Sequence, residues 1–537
     1  MQRAPLRWVI VLCAAAGTLG TLLGACDAGN GIFHHQRDPG VLMVAQPADV
    51  SGLDLARVVD SESIEVSQIL FEGLARWRPG TTDVEPGLAT SWQVSPDGLR
   101  WTFELRPGVV FHDGQPLDAD AVVFSFERVI DPHHPSTLGS DAQYWRLLLK
   151  DVERVTALGP MRVEIAIARP YAPLLGELAM FPIVSPAAVR MWGDEFDRHP
   201  VGTGPFAFEA WNPGEQVVIK RFERYWGETP KLERIVFRVV LDPRQRLIDL
   251  QSGSVDLAAA ILPDEESFVE LHPDLVLIHA PSNDITYLAL NTMHAPFGDR
   301  RVRRAINHAI NKEPIVKLAF QGRAIAAEGP LPPGQWGAHV PAMRYAYDPA
   351  LARRLLEQAA ADHVFDPSRV YKLYAPATAR TYLTQPERVA RYLQAALAQV
   401  GMKTELVLQP TTPHFEALSN GDHDLALSGW ISDTGDPDNI MYVLLHSDNA
   451  VVGSAQNIAF YSNPAVDRLL GEAQAELDVP TRLRRYAQAQ DLIAEDAPWV
   501  PLAHSELVIA ARAELSGVIL SPLGYPVYPW ISRKGPR

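Results

Sequence analysis

The segment from residue 86 to residue 128 is the feature of this sequence that most constrains its fold. Apolar residues alternate with polar ones from Leu99 to Leu105, which predicts a strand with one buried face. Segments of turn-forming residues at 95–98 and 112–114 lie on either side of that strand. After the second turn, an aspartate can cap a helix whose apolar side chains recur at helical spacing. The cap is Asp118 and the apolar residues are Val122, Val123, Phe126, Val129 and Ile130.

The N-terminal segment has the pattern of an export signal. Arg3 and Arg7 precede an apolar run over residues 8–23, and small residues then lead into Cys26. This pattern is typical of bacterial lipoproteins. We therefore predict a lipoprotein signal peptide over residues 1–25, with cleavage before Cys26 and lipidation of that cysteine.

An N-terminal transmembrane helix is the alternative interpretation of the same apolar run. Gly17 and Gly20 interrupt the run and Gly24 follows directly after it, which favours the signal peptide. Residues 26–40 would then form a tether between the lipid anchor and the folded body. The resulting protein is predicted to be extracytoplasmic and attached to the outer face of the cell membrane.

Cysteine content and charge limit the folded body and its partners. Besides Cys26, the sequence contains only Cys13, within the predicted signal, so the folded body has no disulfide available. Burial must supply the stability, and 47% of the residues are hydrophobic. The formal net charge is −16, and it becomes −18 if Arg3 and Arg7 are removed with the signal. Such an acidic balance argues against nucleic acid and anionic membranes as partners.

Residues 202–206 read Gly-Thr-Gly-Pro-Phe and lead into an aromatic strand at 206–211. A glycine pair can mark a dinucleotide-binding loop, but here the third glycine is missing and a strand follows instead of a helix. We therefore interpret the motif as a structural turn. Earlier in the chain, the pattern predicts a strand over residues 41–45 and a helix over residues 61–74.

A second amphipathic helix follows Asp299, which can cap it. Apolar residues from Val302 to Ile310 form one stripe along this helix. Four arginines are expected on its other side, and we interpret them as a solvated face rather than a nucleic-acid site. They are Arg300, Arg301, Arg303 and Arg304.

Helix and strand patterns alternate between residues 386 and 428. A helix over 386–400 precedes a strand over 403–408, and a further strand is predicted over 424–428. This order favours parallel strands in an α/β layer. Ligands in open α/β sheets bind beyond the carboxyl ends of the strands, so we expect the binding loop to be 429–438.

Asp433 is the candidate ligand-binding side chain in this loop. A carboxylate held in a crevice beside Trp430 can bind a ligand's ammonium group as a charge-assisted pair. The alternatives are that Asp433 caps the loop or pairs with a structural arginine. Asp436, directly before Pro437, is predicted to cap the helix that follows.

Enzymatic patterns are absent from the sequence. It contains neither a Gly-x-Ser-x-Gly elbow nor a His-Glu-x-x-His zinc motif. The histidine pairs at 34–35 and 133–134 lie in a tether and a proline-rich loop, where solvated histidines are the simpler interpretation. We therefore predict no enzyme, no metal and no cofactor, with a secreted hydrolase as the remote alternative.

Taken together, these motifs resemble the signature of the dipeptide- and oligopeptide-binding receptors that serve ABC importers. The resemblance implies an α/β, two-lobed periplasmic-binding-protein-like fold of type II, peptide-binding class, with a small α+β domain inserted in the first lobe. It covers nearly all of the chain after the signal, with anchors at 86–128, 202–206, 291–310 and 429–438.

The resemblance also implies a division of the chain into lobes. Lobe I would comprise three separate segments and lobe II a single one, with the inserted domain between two segments of lobe I. The implied boundaries are 41–75, 195–285 and 505–537 for lobe I, 76–194 for the inserted domain, and 286–504 for lobe II.

Site residues can be transferred from the family only where the motif matches. In the family, an aspartate three residues after a Gly-Trp pair binds the peptide α-ammonium, and Asp433 has that spacing after Gly429 and Trp430. The same loop contributes Ser432 to the implied site. Arg380 matches the position of an arginine that binds the carboxylate in dipeptide-binding members.

One position departs from the family pattern. An aromatic residue that packs over the ligand in some members is replaced by Thr411 in this chain, which weakens the case for strict dipeptide specificity. The resemblance implies a monomer that captures short peptides by closing its lobes and delivers them to a membrane permease and its ATPases. Alternatives are the same fold with haem, a nickel chelate or an oligosaccharide as ligand, and a lipoprotein acting as an adhesin or chaperone.

Overall fold

A sheet with strands of mixed direction and the helices packed against it form the core in the computed structural model, which describes residues 38–380 and 382–534. Contacts divide the chain into two units after Asp38, and the second unit, from Pro39 onward, contains all of the helices and strands named below. The predicted signal peptide, Cys26 and the tether up to residue 37 lie outside the described residues. Among the helices that are described, none is long and apolar enough to cross a lipid bilayer.

The strands, in chain order, are β1 Val41–Gln46, β2 Ala75–Trp77, β3 Val84–Pro86, β4 Ala89–Val94, β5 Arg100–Leu105, β6 Val152–Gly159, β7 Arg162–Ile167, β8 Phe206–Asn212, β9 Gln216–Arg221, β10 Arg234–Val239, β11 Leu257–Ala259, β12 Leu275–Pro281, β13 Asp284–Leu290, β14 Ala324–Ala326, β15 Val370–Pro376, β16 Lys403–Gln409, β17 Leu425–Ile431, β18 Trp499–Arg512, β19 Leu515–Ser516 and β20 Ser532–Arg533.

The α-helices are α1 Ser61–Leu70, α2 Ala119–Ile130, α3 Gln143–Leu148, α4 Leu174–Met180, α5 Pro186–Trp192, α6 Pro243–Ser252, α7 Pro263–Leu271, α8 Arg300–Ala309, α9 Glu313–Phe320, α10 Pro349–Ala361, α11 Pro386–Gln399, α12 Thr411–Asn420, α13 Asp438–Leu445, α14 Pro464–Ala475 and α15 Val479–Asp496.

One 12-stranded sheet organises the described chain, in the order β16-β15-β17-β13-β18-β11-β1-β10-β9-β8, with β12 and β14 also paired to β18. β15 pairs in parallel with both β16 and β17, as the alternation of helices and strands predicted. β18 is 14 residues long, and its first part pairs with β13 while its last part pairs with β11 and β12. β18 therefore joins the half of the sheet that contains β13 to the half that contains β11.

The buried apolar side chains form separate clusters on the two sides of β18. Two clusters of buried apolar side chains draw on residues 285–503. Two others draw on residues 42–280 together with residues 507–531. A fifth cluster, from residues 56–183, packs around a separate four-stranded sheet with the order β4-β5-β7-β6. The structure thus contains three regions of core along the chain.

The strand and helix predicted within residues 86–128 are confirmed. In β5, Trp101, Phe103 and Leu105 are buried, as the alternating pattern required. Asp118 caps α2 by accepting a hydrogen bond from the amide of Ala121 at 2.9 Å. This helix packs beside the four-stranded sheet, where its apolar side chains join the same cluster.

Helix α1 ends earlier than the sequence suggested, at Leu70 rather than at residue 74. The reason lies in the turn at 202–206. The amide of Gly204 donates to the Leu70 carbonyl at 3.0 Å, and both Gly202 and Gly204 approach the end of α1 so closely that a Cβ on either would collide with its backbone oxygens. The turn therefore replaces the next helical turn, which supports its interpretation as a structural motif.

Two further predictions need correction. β17 extends to Ile431, so Gly429 and Trp430 belong to the strand rather than to the loop, because pairing with β13 continues through them. In α8, which Asp299 caps as predicted, Arg303 is not solvated. Arg303 is buried and donates to the carbonyls of Asp496 and Phe297, each at 2.8 Å, so it joins α8 to the end of α15.

We expect Gly204→Ala to lower the free energy of unfolding by about 1–3 kcal/mol, because the added methyl group has no room beside the end of α1. Gly159→Ala is the matched control, since a Cβ there meets no atom within 4 Å. The control should change the free energy by no more than about 0.5 kcal/mol. Denaturant titration of both variants measures the difference, and equal stabilities would contradict the close approach.

Candidate functional site

The loop after β17 lies where the sheet ends and is held in place by hydrogen bonds of its backbone and of side chains. The amide of Ser432 donates to the Asn283 carbonyl at 2.8 Å, next to the start of β13. The Ser432 hydroxyl accepts a hydrogen bond from the amide of Gly435 at 3.0 Å. Gly435 adopts a φ of +69°, and a Cβ there would collide with Thr82. Glycine at this position is thus required both by backbone conformation and by space.

Asp433 lies in this loop with its side chain partly exposed. Its Oδ2 accepts a hydrogen bond from the phenol of Tyr144 at 2.9 Å, and its amide donates to the side chain of Asn439. Burial raises the pKa of Asp433, and the Tyr144 hydrogen bond partly opposes that effect. Within the described part of the chain, no lysine, arginine or histidine forms an ion pair with Asp433.

The Trp430 side chain and Asp433 share one partner, Asn439. The indole Nε1 of Trp430 donates to Asn439 Oδ1 at 2.8 Å, and the amide of Asp433 donates to the same oxygen at 3.3 Å. The side chain of Asn439 thereby fixes the position of the ring relative to the carboxylate. Asn439 was missed by the sequence analysis, although it follows directly on the Asp-Pro-Asp motif at 436–438.

Asp436 is not the N-cap of α13, because the helix begins at Asp438 and Pro437 holds the cap position, so the predicted cap is wrong. Asp436 instead contacts the first amide of the helix and also has a role that the sequence did not reveal. Its Oδ1 accepts from the amide of Asp438 at 2.9 Å. Both carboxylate oxygens also bind the guanidinium of Arg482, at 2.7 Å each, and the two side chains are buried. Arg482 donates further to the Ala473 carbonyl at 2.9 Å. This ion pair joins the loop to α14 and α15.

Two more carboxylates are buried near that pair. Burial and the charge of Asp436 raise the pKa of Asp438 to about 7, and its Oδ2 accepts from Gln474 at 3.1 Å. Burial raises the pKa of Glu177 well above its ordinary value, while Tyr171 donates to its Oε1 at 2.8 Å. One sign of this cluster is visible in the sequence, because Glu177 interrupts the apolar run 174–184.

Arg380 and Gly429 are brought into the same neighbourhood by Tyr382. The ring of Tyr382 covers Gly429 so closely that a Cβ at Gly429 would collide with it. Arg380 is exposed, with its guanidinium 5.5 Å from the centre of the Phe415 ring. Burial raises the pKa of the Tyr382 phenol, and the nearby charge of Arg380 partly opposes that effect. Arg380 follows β15, the parallel neighbour of β17, so the loops that carry Arg380 and Asp433 lie at the same edge of the sheet.

The site therefore offers an anionic group and a cationic group at one sheet edge, without a direct contact between Arg380 and Asp433 in the described residues. A carboxylate that has only a phenol as partner can bind a ligand cation, and an exposed guanidinium can bind a ligand carboxylate through two hydrogen bonds. Among the residues described, no group of three or more metal-binding side chains occurs.

Comparison with known proteins places this architecture in a family. The model of the bacterial extracellular solute-binding proteins, family 5 Middle, matches residues 83–451. Heme-binding protein A of Haemophilus influenzae is 32% identical over 506 residues, covering 90% of this chain and 90% of that protein. Di/tripeptide-binding protein 2 of Pseudomonas aeruginosa is 33% identical over 506 residues, covering 91% of this chain and 94% of that protein.

Among solved structures, the ABC transporter-associated periplasmic binding protein DppA from Helicobacter pylori, in complex with the peptide STSA, is 31% identical with a TM-score of 0.75. That comparison covers 92% of this chain and 98% of the other. The two-lobed type II fold expected from the sequence is therefore confirmed.

We expect Arg482→Met to lower the free energy of unfolding by about 3–5 kcal/mol, because it leaves the buried Asp436 carboxylate without its cation. Arg484→Met is the matched control, since Arg484 is exposed on the same helix. The control should stay within about 0.5 kcal/mol of the parent protein. Equal losses in the two variants, measured by denaturant titration, would show that the buried pair contributes nothing specific.

We expect the stabilising effect of Asp438→Asn to grow with pH. The pKa of Asp438 is about 7 in the folded protein, against an ordinary value of 3.8. As the pH rises from 3.8 to 7, Asp438 ionises in the unfolded chain but stays protonated in the folded protein, so the parent loses stability over this range. Asparagine avoids that cost. The difference in unfolding free energy between variant and parent should rise by on the order of a few kcal/mol from about pH 4 to about pH 8. The exposed Asp448→Asn is the control, and a pH-independent difference would contradict the assignment.

Proposed function

The chain belongs to family 5 of the bacterial extracellular solute-binding proteins, and from that membership we propose that it captures short peptides by their charged ends. Members of this family serve ABC importers outside the cytoplasm. One observation carries the proposal: Asp433, at the carboxyl end of β17, has no cationic partner in the described chain and only a phenol as side-chain donor.

Electrostatics favours an ammonium group as the occupant of this position. Asp433 is partly buried and its pKa is raised by that burial, so its charge is poorly compensated within the protein. A primary ammonium would bring a full positive charge and several N–H donors. Losing one partner of such a desolvated pair costs about 2–5 kcal/mol, so Asp433 can contribute strongly to affinity.

Arg380 is the proposed partner of the ligand's carboxylate. Its guanidinium is exposed and belongs to the loop that follows the parallel neighbour of β17. Trp430, which is half-buried, would line the space between the two charged groups. Gly429 and Ser432 would support it from beneath, since the Tyr382 ring covers Gly429 and Ser432 is buried. A main-chain segment of a peptide can lie between these groups as an added strand, which leaves its side chains largely unspecified. The relative that binds the peptide STSA and the one named for di- and tripeptides support ligands of this size.

We further propose that the chain closes over its ligand as two lobes. The proposed boundaries are those implied by the sequence, with lobe II at 286–504, lobe I on either side of it, and the inserted domain at 76–194. The distribution of buried apolar clusters supports this division. Tyr144 comes from the proposed inserted domain, so its hydrogen bond to Asp433 joins the two sides of the cleft. Closure is then a shift in population driven by the ligand.

Membrane attachment through Cys26 is also part of the proposal. The sequence pattern supports a signal peptide over residues 1–25 and a tether over residues 26–40. The protein would act as a monomer that delivers its peptide to a membrane permease and its ATPases. We propose no catalytic role.

Haem is a second candidate ligand, favoured by one specific observation. A relative that is 32% identical over 90% of this chain is named for heme binding. The peptide proposal is nevertheless preferred, because an unpaired carboxylate and an exposed arginine suit a ligand with charged ends.

We expect calorimetric titration of the ligand-stripped protein with two- to five-residue peptides to show binding that N-acetylation of the peptides abolishes. Asp433→Ala should weaken the affinity by at least about tenfold, while the melting temperature of the empty protein changes little. Asp422→Ala is the control, since Asp422 is exposed and precedes the opposite end of β17, and this variant should bind as the parent does.

Retained binding of acetylated peptides would mean that the α-ammonium is not recognised. Unchanged affinity in Asp433→Ala would make Asp433 a structural residue. Absence of peptide binding, together with a shift of the Soret absorbance band on adding hemin, would move the function to haem.

A further inference from the structure

A cavity of about 280 Å³ lies apart from the Asp433 loop, between α8, α15, the start of β18 and the loop 326–346. Its walls are mostly apolar, and the loop that covers it is rich in proline. The volume would hold about nine water molecules at the density of the liquid. The residues that line it include Lys312, Ala326, Glu328, Arg344, Ala494 and Trp499.

Lys312 gives this cavity a positive charge. Its ammonium donates to the Ala327 carbonyl at 2.6 Å, which uses one of its three N–H donors. In the described part of the chain, Lys312 takes part in no ion pair. Glu328 also lines the cavity and its charge acts on Lys312, but its ion pair, at 3.3 Å, is with Arg344.

Burial lowers the pKa of Lys312 to about 8, and the charge of Glu328 partly opposes that effect. The group is thus still mainly protonated at pH 7, although burial makes its charge costly. An anion next to this ammonium would remove that cost, because the pair would form in a partly desolvated environment. The unused donors of Lys312 would then find acceptors.

The rest of the cavity suits an apolar group. Trp499 forms part of the wall and is fixed by stacking on Tyr287, with ring centres 3.9 Å apart. Alanine, proline and isoleucine side chains supply most of the remaining surface. Pockets that bind small molecules typically combine such an apolar lining with a few polar groups. An amino acid or peptide fits less well, because the carboxylate that lines the cavity, Glu328, is already paired with Arg344.

We propose that this cavity is a second binding site, for a small carboxylate with an apolar chain or ring whose carboxylate pairs with Lys312. The site is separate from the peptide position at Asp433, since it uses none of the residues proposed there. It also differs in chemistry, because its ligand needs no positive charge.

We expect octanoate to bind the full-length protein in calorimetric titration at concentrations up to about 1 mM, and octanamide to bind at least about tenfold more weakly. Lys312→Met, which keeps most of the stem but removes the charge, should weaken octanoate binding by at least about tenfold. Lys317→Met is the matched control on α9, since Lys317 is exposed, and it should bind octanoate as the parent does.

A second variant tests the cavity rather than the charge. Ala494→Phe places a ring in the space and should abolish octanoate binding, while Asp433→Ala should leave it unchanged. Circular dichroism and melting temperature would show that each variant is folded. Equal binding of octanoate and octanamide, unchanged affinity in Lys312→Met, or octanoate binding that is lost in Asp433→Ala would each overturn the proposal.

Discussion

The buried ion pair between Asp436 and Arg482 is the interaction on which the geometry of the site depends. It consists of two parallel hydrogen bonds of 2.7 Å between side chains that are both almost inaccessible to water. Removing two charges from water is costly, and only good geometry with additional hydrogen bonds offsets the cost. Arg482 meets that requirement through the Ala473 carbonyl, and Asp436 through the amide of Asp438. The loop after β17 is thereby fixed to α14 and α15.

The surroundings of each carboxylate decide which one is open to a ligand. Asp436 is neutralised by Arg482, whereas Asp438 and Glu177 are buried beside neutral donors and have raised pKa values. These three carboxylates therefore form contacts inside the protein and are not exposed to a ligand. Asp433 differs because it is partly exposed and, in the described chain, has a phenol as its only side-chain donor. The same short loop thus contains a structural carboxylate and, three residues away, one that is available for recognition.

The loop 326–346 connects the two proposed binding positions physically. Gln335 donates from its side chain to the Gly435 carbonyl at 2.9 Å, and Gly337 packs against Pro437. The same loop covers the cavity that Lys312 lines. Any displacement of this loop would therefore reach both the Asp433 loop and the cavity. Coupling between two ligands requires such a shared element, and linkage would make the coupling reciprocal.

Local sequence determined the elements and the turns of this protein, because spacing, caps and glycines act over a few residues. Alternation predicted β5, Asp118 marked the start of α2, and Asp299 marked the start of α8. The parallel order of β15, β16 and β17 also followed from the alternation of helices and strands, and it is the basis for the proposed binding loop. Tertiary structure decided where some of these elements end and which distant side chains form pairs. The early end of α1 depends on Gly204, which is distant in sequence, and β17 includes Trp430 because β13 continues to pair with it. The burial of Arg303, the pairing of Asp436 with Arg482 and the hydrogen bond from Tyr144 to Asp433 likewise depend on distant partners. Charge partners across a fold leave no periodic signal in sequence, since their energy arises from burial and geometry that exist only after the chain has folded.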